Sequence, residues 1–208
     1  MMGERATLYL RLPVCLLLCV GLLVGPPPAA HAQRAAITLP RHLGQLVDQA
    51  ATILRGYVLL ARVEPHPELT NLYTVVVTLR VQETLKGSAE QTFTFRQYIW
   101  DIRDRYDTAG YRKGQHLLLL LNRPSEYGLS SPAGLEQGRF RILRDPQGNE
   151  VAVNAHGNAG LFRNLPAHLS QKGVQLSPRL SSLVAQQRAG PVSLDDLREL
   201  IRQLVGTN

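Results

Sequence analysis

Between Arg96 and Arg112, guanidinium groups alternate with aromatic rings: Arg96, Arg103, Arg105 and Arg112 are interleaved with Tyr98, Trp100, Tyr106 and Tyr111, and the stretch holds the only tryptophan of the chain. Flat rings and guanidinium planes suit sugars, bases or peptide side chains, because each offers an apolar face with an electrostatic attraction attached. Loops on a rigid scaffold are where such residues tend to lie. A second reading stands beside this one, in which the rings plug the mouth of a β-barrel. For Tyr98 and Trp100 the plug is the stronger reading; for Tyr106 and Tyr111 binding is.

Other chemistry has less to build on. Asp101, Asp104 and Asp107 fall three apart, whereas a calcium loop wants carboxylates at alternate positions and a glycine at the sixth. Their alternation with Arg103 and Arg105 favours local ion pairing. Past the first thirty or so residues the histidines are His42, His66, His116, His156 and His168, none paired at metal-ligand spacing. They read as solvated or structural. No nucleophile elbow, S-x-x-K or phosphate loop occurs in the chain. The expectation is therefore no catalytic residue, no metal and no cofactor, with an enzyme whose site is scattered through the sequence kept as an alternative.

The location of the chain follows from its start. Arg5 and Arg11 flank an apolar run from Leu12 to Val24, and "PPPAAHA" ends in small residues at Ala30 and Ala32. This is the pattern of a secretory signal peptide over residues 1–32, cleaved before Gln33. The run is too short for a spanning helix, which needs roughly 20 residues, so no membrane span is expected after processing. Cys15 and Cys19 both lie in the leader; the processed chain would owe nothing to disulfides and everything to an apolar core. A secreted or periplasmic protein is expected. Its charge, +7 over the whole chain, invites a polyanionic partner, but no block of five like charges occurs. Dispersed, solvated arginines are the favoured reading.

The elements that must position these residues are mainly strands. "TILRGYVLLARVEP" (52–65) reads as one strand, with Ile53, Tyr57, Leu59, Ala61 and Val63 on a common face, closed by Pro65 and Pro67. After the turn residues "HPELTN" comes "LYTVVVTLRVQETLKG", in which Tyr73, Val75, Val77, Leu79, Val81 and Leu85 share a face interrupted only by Glu83. A strand of about 13 residues runs to roughly 43 Å and in a small domain has to curl. "QTFTFRQYIW" alternates again, the five leucines after His116 fit a strand buried on both faces, and "GRFRILRD" with "EVAVN" makes a last hairpin around a "PQG" turn. Helices flank the strands. Leu39, Leu43, Leu46, Val47 and Ala50 give one apolar face near the start, weakened by Gly44, and Leu194, Leu197, Leu200, Ile201 and Leu204 give a stripe behind a Ser193/Asp196 capping box.

Residues 52–154 resemble an OB-type barrel and, more narrowly, the netrin-like barrels of the tissue inhibitors of metalloproteinases and of a set of exported bacterial proteins. The resemblance is carried by "LYTVVVTLRVQETLKG", "GYRKGQHLLLLL" and "LEQGRFRI", a strand ending in Lys-Gly followed by a Gly-x-x-Leu-Leu strand. It implies a small barrel of five or six antiparallel strands, binding through the faces and loops of its second and third strands. It also implies a protein partner, such as an extracytoplasmic protease. The animal inhibitors chelate their target's zinc with a cysteine at the mature N-terminus, whereas Gln33-Arg34-Ala35 would begin this one; that mechanism does not carry over.

The expected organisation is a signal peptide (1–32), an N-terminal helical segment (33–51), the mainly β, OB-like or netrin-like barrel (52–154), an irregular linker (155–192) and a C-terminal helix docked on the barrel (193–206). The expected function is that of an exported, non-enzymatic binding module. Its partner is an extracytoplasmic protein or, through the arginine and aromatic loop, an anionic glycan, with nucleic acid not favoured.

Overall fold

A computed structural model describes residues 39–99, 101 and 103–206. The leader expected over 1–32 and Trp100 lie outside the described residues. The fold is mainly β. Strands β1 (Thr52–Pro65), β2 (Tyr73–Lys86), β3 (Thr92–Tyr98), β4 (His116–Leu121), β5 (Arg139–Arg144), β6 (Glu150–Asn154) and β7 (Val192–Ser193) form one sheet in the order β3-β2-β1-β4-β5-β6-β7, every ladder antiparallel. The sheet is open, with β3 and β7 at its edges, and has seven strands where a barrel of five or six was expected. Five helices accompany it among the described residues: α1 (Leu43–Gln49), α2 (Asp104–Asp107), α3 (Leu165–Gln171), α4 (Pro178–Gln186) and α5 (Leu194–Val205). None is long and apolar enough to cross a membrane.

Two cores lie on the two faces of this sheet, and the leucine run of β4 divides between them. Leu118 and Leu120 join Ile53, Phe140 and the helices in one core, while Leu117, Leu119 and Leu121 join Leu54, Val58, Val75, Val77, Leu79 and Phe95 in the other. The alternation of a strand requires this once both faces are covered. Helix α5 brings Leu194, Leu197, Leu200, Ile201 and Leu204 to the first core, as its stripe predicts, and the Ser193 hydroxyl accepts from the Asp196 N–H. Helix α1 buries Leu43, Leu46 and Val47, but Leu39 stands outside it and exposed. Gly44 is needed there because a Cβ would meet Cδ2 of His168 at 2.4 Å.

Alternation along β1 breaks where the register slips. Val58 pairs with Leu79 but Leu60 with Thr78, so Leu59 is a bulged residue, and a bulge moves the following side chains to the other face. Leu54 and Val58 point into the second core before the bulge; Ala61 packs against it afterwards. Tyr57, in the row opposite Leu54 and Val58, stacks instead on His116, and Leu59, the bulged residue, is exposed, so neither lies on the buried face expected of them. A second slip, between Arg55/Glu83 and Gly56/Val81, turns Glu83 toward α5. Gly56 sits at this slip, where a Cβ would come within 2.4 Å of the Arg80 carbonyl oxygen.

Residues 155–192, expected to be irregular apart from one helix candidate after Ser177-Pro178, contain that helix, α4, and a second, α3. Two of the three prolines that suggested irregularity, Pro166 and Pro178, stand in the first turns of these helices, where a missing N–H is harmless; Pro191 precedes β7. The turns before α3 are tied down by a buried asparagine pair: the N–H of Asn154 donates to Oδ1 of Asn158, the N–H of Asn158 to Oδ1 of Asn154, and Nδ2 of Asn158 to the carbonyls of Ala152 and Gly190.

Candidate functional site

The interleaved arginines and rings do not form one patch. Arg96 is committed to the fold: its guanidinium donates to Glu64 Oε1 at 2.6 Å and to Thr74 Oγ1 at 2.7 Å, tying β3 to β1 across β2. Hydrogen bonds from Arg62 and then Arg96 hold the Glu64 carboxyl below the usual carboxylate range. Tyr98 is half-buried opposite Thr74. Arg103 is exposed and grips the Asp101 carboxylate through its Nε at 2.9 Å. Arg112 is exposed, its backbone N–H donating to Gln115 Oε1.

Tyr111 is in the second core at 1 % exposure. Its hydroxyl donates to Gln97 Oε1 at 2.9 Å, and the Arg139 guanidinium lies 4.4 Å from its ring centre, donating onward to the Ala109 carbonyl and pairing with Glu136. Burial, opposed by Arg139, pushes the Tyr111 hydroxyl up to about 12. This packing comes from three successive left-handed residues, Thr108, Ala109 and Gly110, with φ of 56°, 52° and 75°. They reverse the chain between α2 and Tyr111, so Tyr106 and Tyr111 leave the loop in different directions.

What remains for a ligand is grouped around the β1–β2 hairpin. The Arg105 guanidinium lies 3.5 Å from the ring centre of Tyr73, and its neighbour Tyr106 is 88 % exposed. The hairpin tip is fixed from within by His66, which is buried. Its Nδ1 accepts from the N–H groups of Glu68 and Leu69, so the proton sits on Nε2, which donates to the Tyr127 carbonyl at 2.8 Å. That bond holds the loop after β4 against the hairpin and places Tyr127, with Leu69, on the surface. Leu69, Tyr73 and Tyr127 are thus partly exposed and Tyr106 almost fully so, on the β1–β2 hairpin and the two segments held against it, with a stacked guanidinium among them. Tyr73 was expected in the core and Leu69 and Tyr127 were not singled out; an apolar residue inside a turn-forming segment was the available signal.

A separate polar layer lies where the sheet meets α5. Glu83 accepts from Arg198 at 2.7 and 2.8 Å and from Arg202 at 2.6 Å, with the Arg55 Nε at 3.3 Å. Burial alone would raise its pKa, but the arginine hydrogen bonds outweigh that and hold it below the usual range. Beside it, His116 stacks on Tyr57 at 4.2 Å with Nδ1 3.6 Å from Glu150, and burial lowers the pKa of its ring. Every charge here faces an opposite charge, as expected of a docking seam between helix and sheet. Among the described residues no group of three or more His, Cys, Asp or Glu side chains is arranged to hold a metal.

Comparison with protein-family models, with curated proteins and with solved structures found no match.

Proposed function

We propose that the chain is an exported, non-enzymatic binding module that recognises an extracytoplasmic protein through its hairpin end. The observation that carries this reading is the Arg105–Tyr73 stack with Tyr106 beside it, 88 % exposed. Tyrosine and arginine are among the residue types enriched where protein partners bury surface, tyrosine because it adds a large contact area at small entropic cost and arginine because its planar guanidinium stacks and donates several hydrogen bonds. Export is supported by the leader pattern in the sequence. An OB-like arrangement is supported by the first five strands, whose order β3-β2-β1-β4-β5 suits a partly open Greek-key barrel. A parallel bridge between Arg96 and Leu129 brings β3 to the segment after β4. The aromatic surface lies on the loops that the resemblance would use.

The test is affinity capture from a secreted or periplasmic fraction, followed by measurement of the retained partner at two salt concentrations. A protein partner held through apolar and stacked contacts is expected to lose less than tenfold in affinity between about 50 and 200 mM salt. A polyanion engaging the exposed Arg112 and its neighbours would lose about a thousandfold or more if six or more phosphate-like contacts were made, and that result would replace the protein by an anionic glycan.

A further inference from the structure

Strand β3 is an edge strand whose outward backbone is only partly occupied. In an antiparallel ladder, direct partners alternate between pairs that exchange both hydrogen bonds and pairs that exchange none. The N–H of Val81 donates to the Gln91 carbonyl at 2.8 Å, its direct partner once Arg80 faces Thr92. Counting in twos from that pair, Phe93, Phe95 and Gln97 bond to β2, while Thr92, Thr94, Arg96 and Tyr98 turn their N–H and C=O groups away from it. One outward group is visibly taken: the Arg96 carbonyl accepts from the Ser130 N–H at 2.7 Å, within the parallel bridge to Leu129. Toward Thr92 no such partner follows among the described residues. A cleft of about 350 Å³ opens beside Thr94 instead, between Phe93, Thr94 and Phe95 on one bank and Asn122, Pro124 and Gly128 on the other.

We infer that this cleft accepts an extended, uncharged peptide segment as an added strand, hydrogen-bonded to the N–H and C=O groups of Thr94 within it and of Thr92, the next outward-facing residue along the edge. The backbone edge asks for a strand, since a row of alternating donors and acceptors is matched by another extended main chain. The walls set the charge. Arg96 is the one charged side chain lining the cleft, and Glu64 neutralises it at 2.6 Å; the other lining residues are hydroxyl, amide, glycine or apolar. A charged side chain entering would lose water with no opposite charge to meet, so the complementary segment carries threonine, serine or valine. The volume lies at the small end of ligand sites, enough for a few residues. The isolated parallel bridge of Leu129 at Arg96, with the Ser130 N–H on the Arg96 carbonyl, shows that the same edge already accepts backbone where the chain reaches it. This inference rests on the protein-partner reading and names the part of the partner that enters.

The probe is a capped Thr-Val-Thr-Val-Thr pentapeptide added to the full chain, with amide hydrogen exchange read residue by residue. Saturable slowing of Thr92 and Thr94 exchange by tenfold or more, with Phe93 and Phe95 little changed, is the expected result. Thr94→Pro removes the N–H offered to the peptide and no bond to β2, a substitution edge strands tolerate; it should abolish the slowing, whereas Thr94→Ala keeps it. No saturable change at Thr92 and Thr94 with millimolar peptide overturns the inference. So does protection of both amides without peptide that scales with protein concentration, which would make a second copy the occupant. Loss of peptide binding with intact dependence of partner capture on Tyr106 would sink the edge site and leave the module reading standing.

Discussion

Tyr111 and Tyr106 are the same residue type, five apart, each followed or preceded by arginine, and one is core while the other is surface. Nothing in their local pattern separates them. The distinction is made by the left-handed turn at Thr108 and Ala109, and non-glycine residues rarely advertise that conformation in sequence. Two consequences can be measured. Tyr111→Phe leaves the buried Gln97 carbonyl without its donor, and should cost about 1–3 kcal/mol in denaturant unfolding; a change below about 0.5 kcal/mol would mean that Gln97 finds water. Acidification should also destabilise the fold. His42 and His116 have pKa values lowered by burial, so the native state binds fewer protons than the unfolded one. Their contribution is complete above roughly pH 6.5 and is lost as pH falls through their folded pKa values. Glu64 and Glu83, also lowered, add a second loss below about pH 4.3. Glu136 works the other way: burial raises it, and its contribution falls as pH rises from the carboxylate range. Calorimetric Tm values at pH 7, 6 and 5 should decline, and His116→Gln should flatten part of the slope; a Tm constant over that range contradicts the assignment.

Among the elements, those whose periodicity survived tertiary packing were legible. The limits of β1 and the leucine strand β4 could be read because turn residues or proline bound an alternating or all-apolar run, and α5 because its capping serine precedes an unbroken stripe. In 155–192 a helix starting after Ser177-Pro178 could be read and is α4, whereas α3 could not, because Pro166 at its start reads as a break. The row of β1 expected to face one core was right only beyond the bulge at Leu59: before it Leu54 and Val58 enter the second core, after it Ala61 does, and the bulge leaves no sequence mark beyond two adjacent leucines. Glu83 was the visible anomaly, a carboxylate in an apolar row, and its explanation lies 115 residues away in Arg198. Removing it should loosen α5. Glu83→Ala leaves three half-buried guanidinium groups facing one another, and a loss of about 1–3 kcal/mol is expected, below the value for a fully buried pair because Arg202 reaches solvent. Leu197→Ala and Ile201→Ala should cost about 2–5 kcal/mol each, both being fully buried. If Glu83→Ala were neutral while Leu197→Ala were costly, the helix would be held by its apolar stripe alone.

For the molecule as a whole, a sheet covered on both faces supplies a rigid frame, and its loops at the β1–β2 end are pinned by one buried histidine. His66→Ala should therefore leave the cores intact and free the Tyr127 loop: a small fall in Tm together with faster amide exchange at Leu69 and Tyr127 is expected, and unchanged exchange at both would show that the hairpin holds the loop by other means. Exposed apolar side chains gathered at one end and held this firmly mark an interaction surface. The decisive measurement is the affinity of the captured partner for the Arg105→Ala, Tyr106→Ala pair compared with the unaltered chain. Binding weakened by tenfold or more, with an unchanged unfolding midpoint, is the predicted result. Affinity equal to that of the unaltered chain would contradict the account.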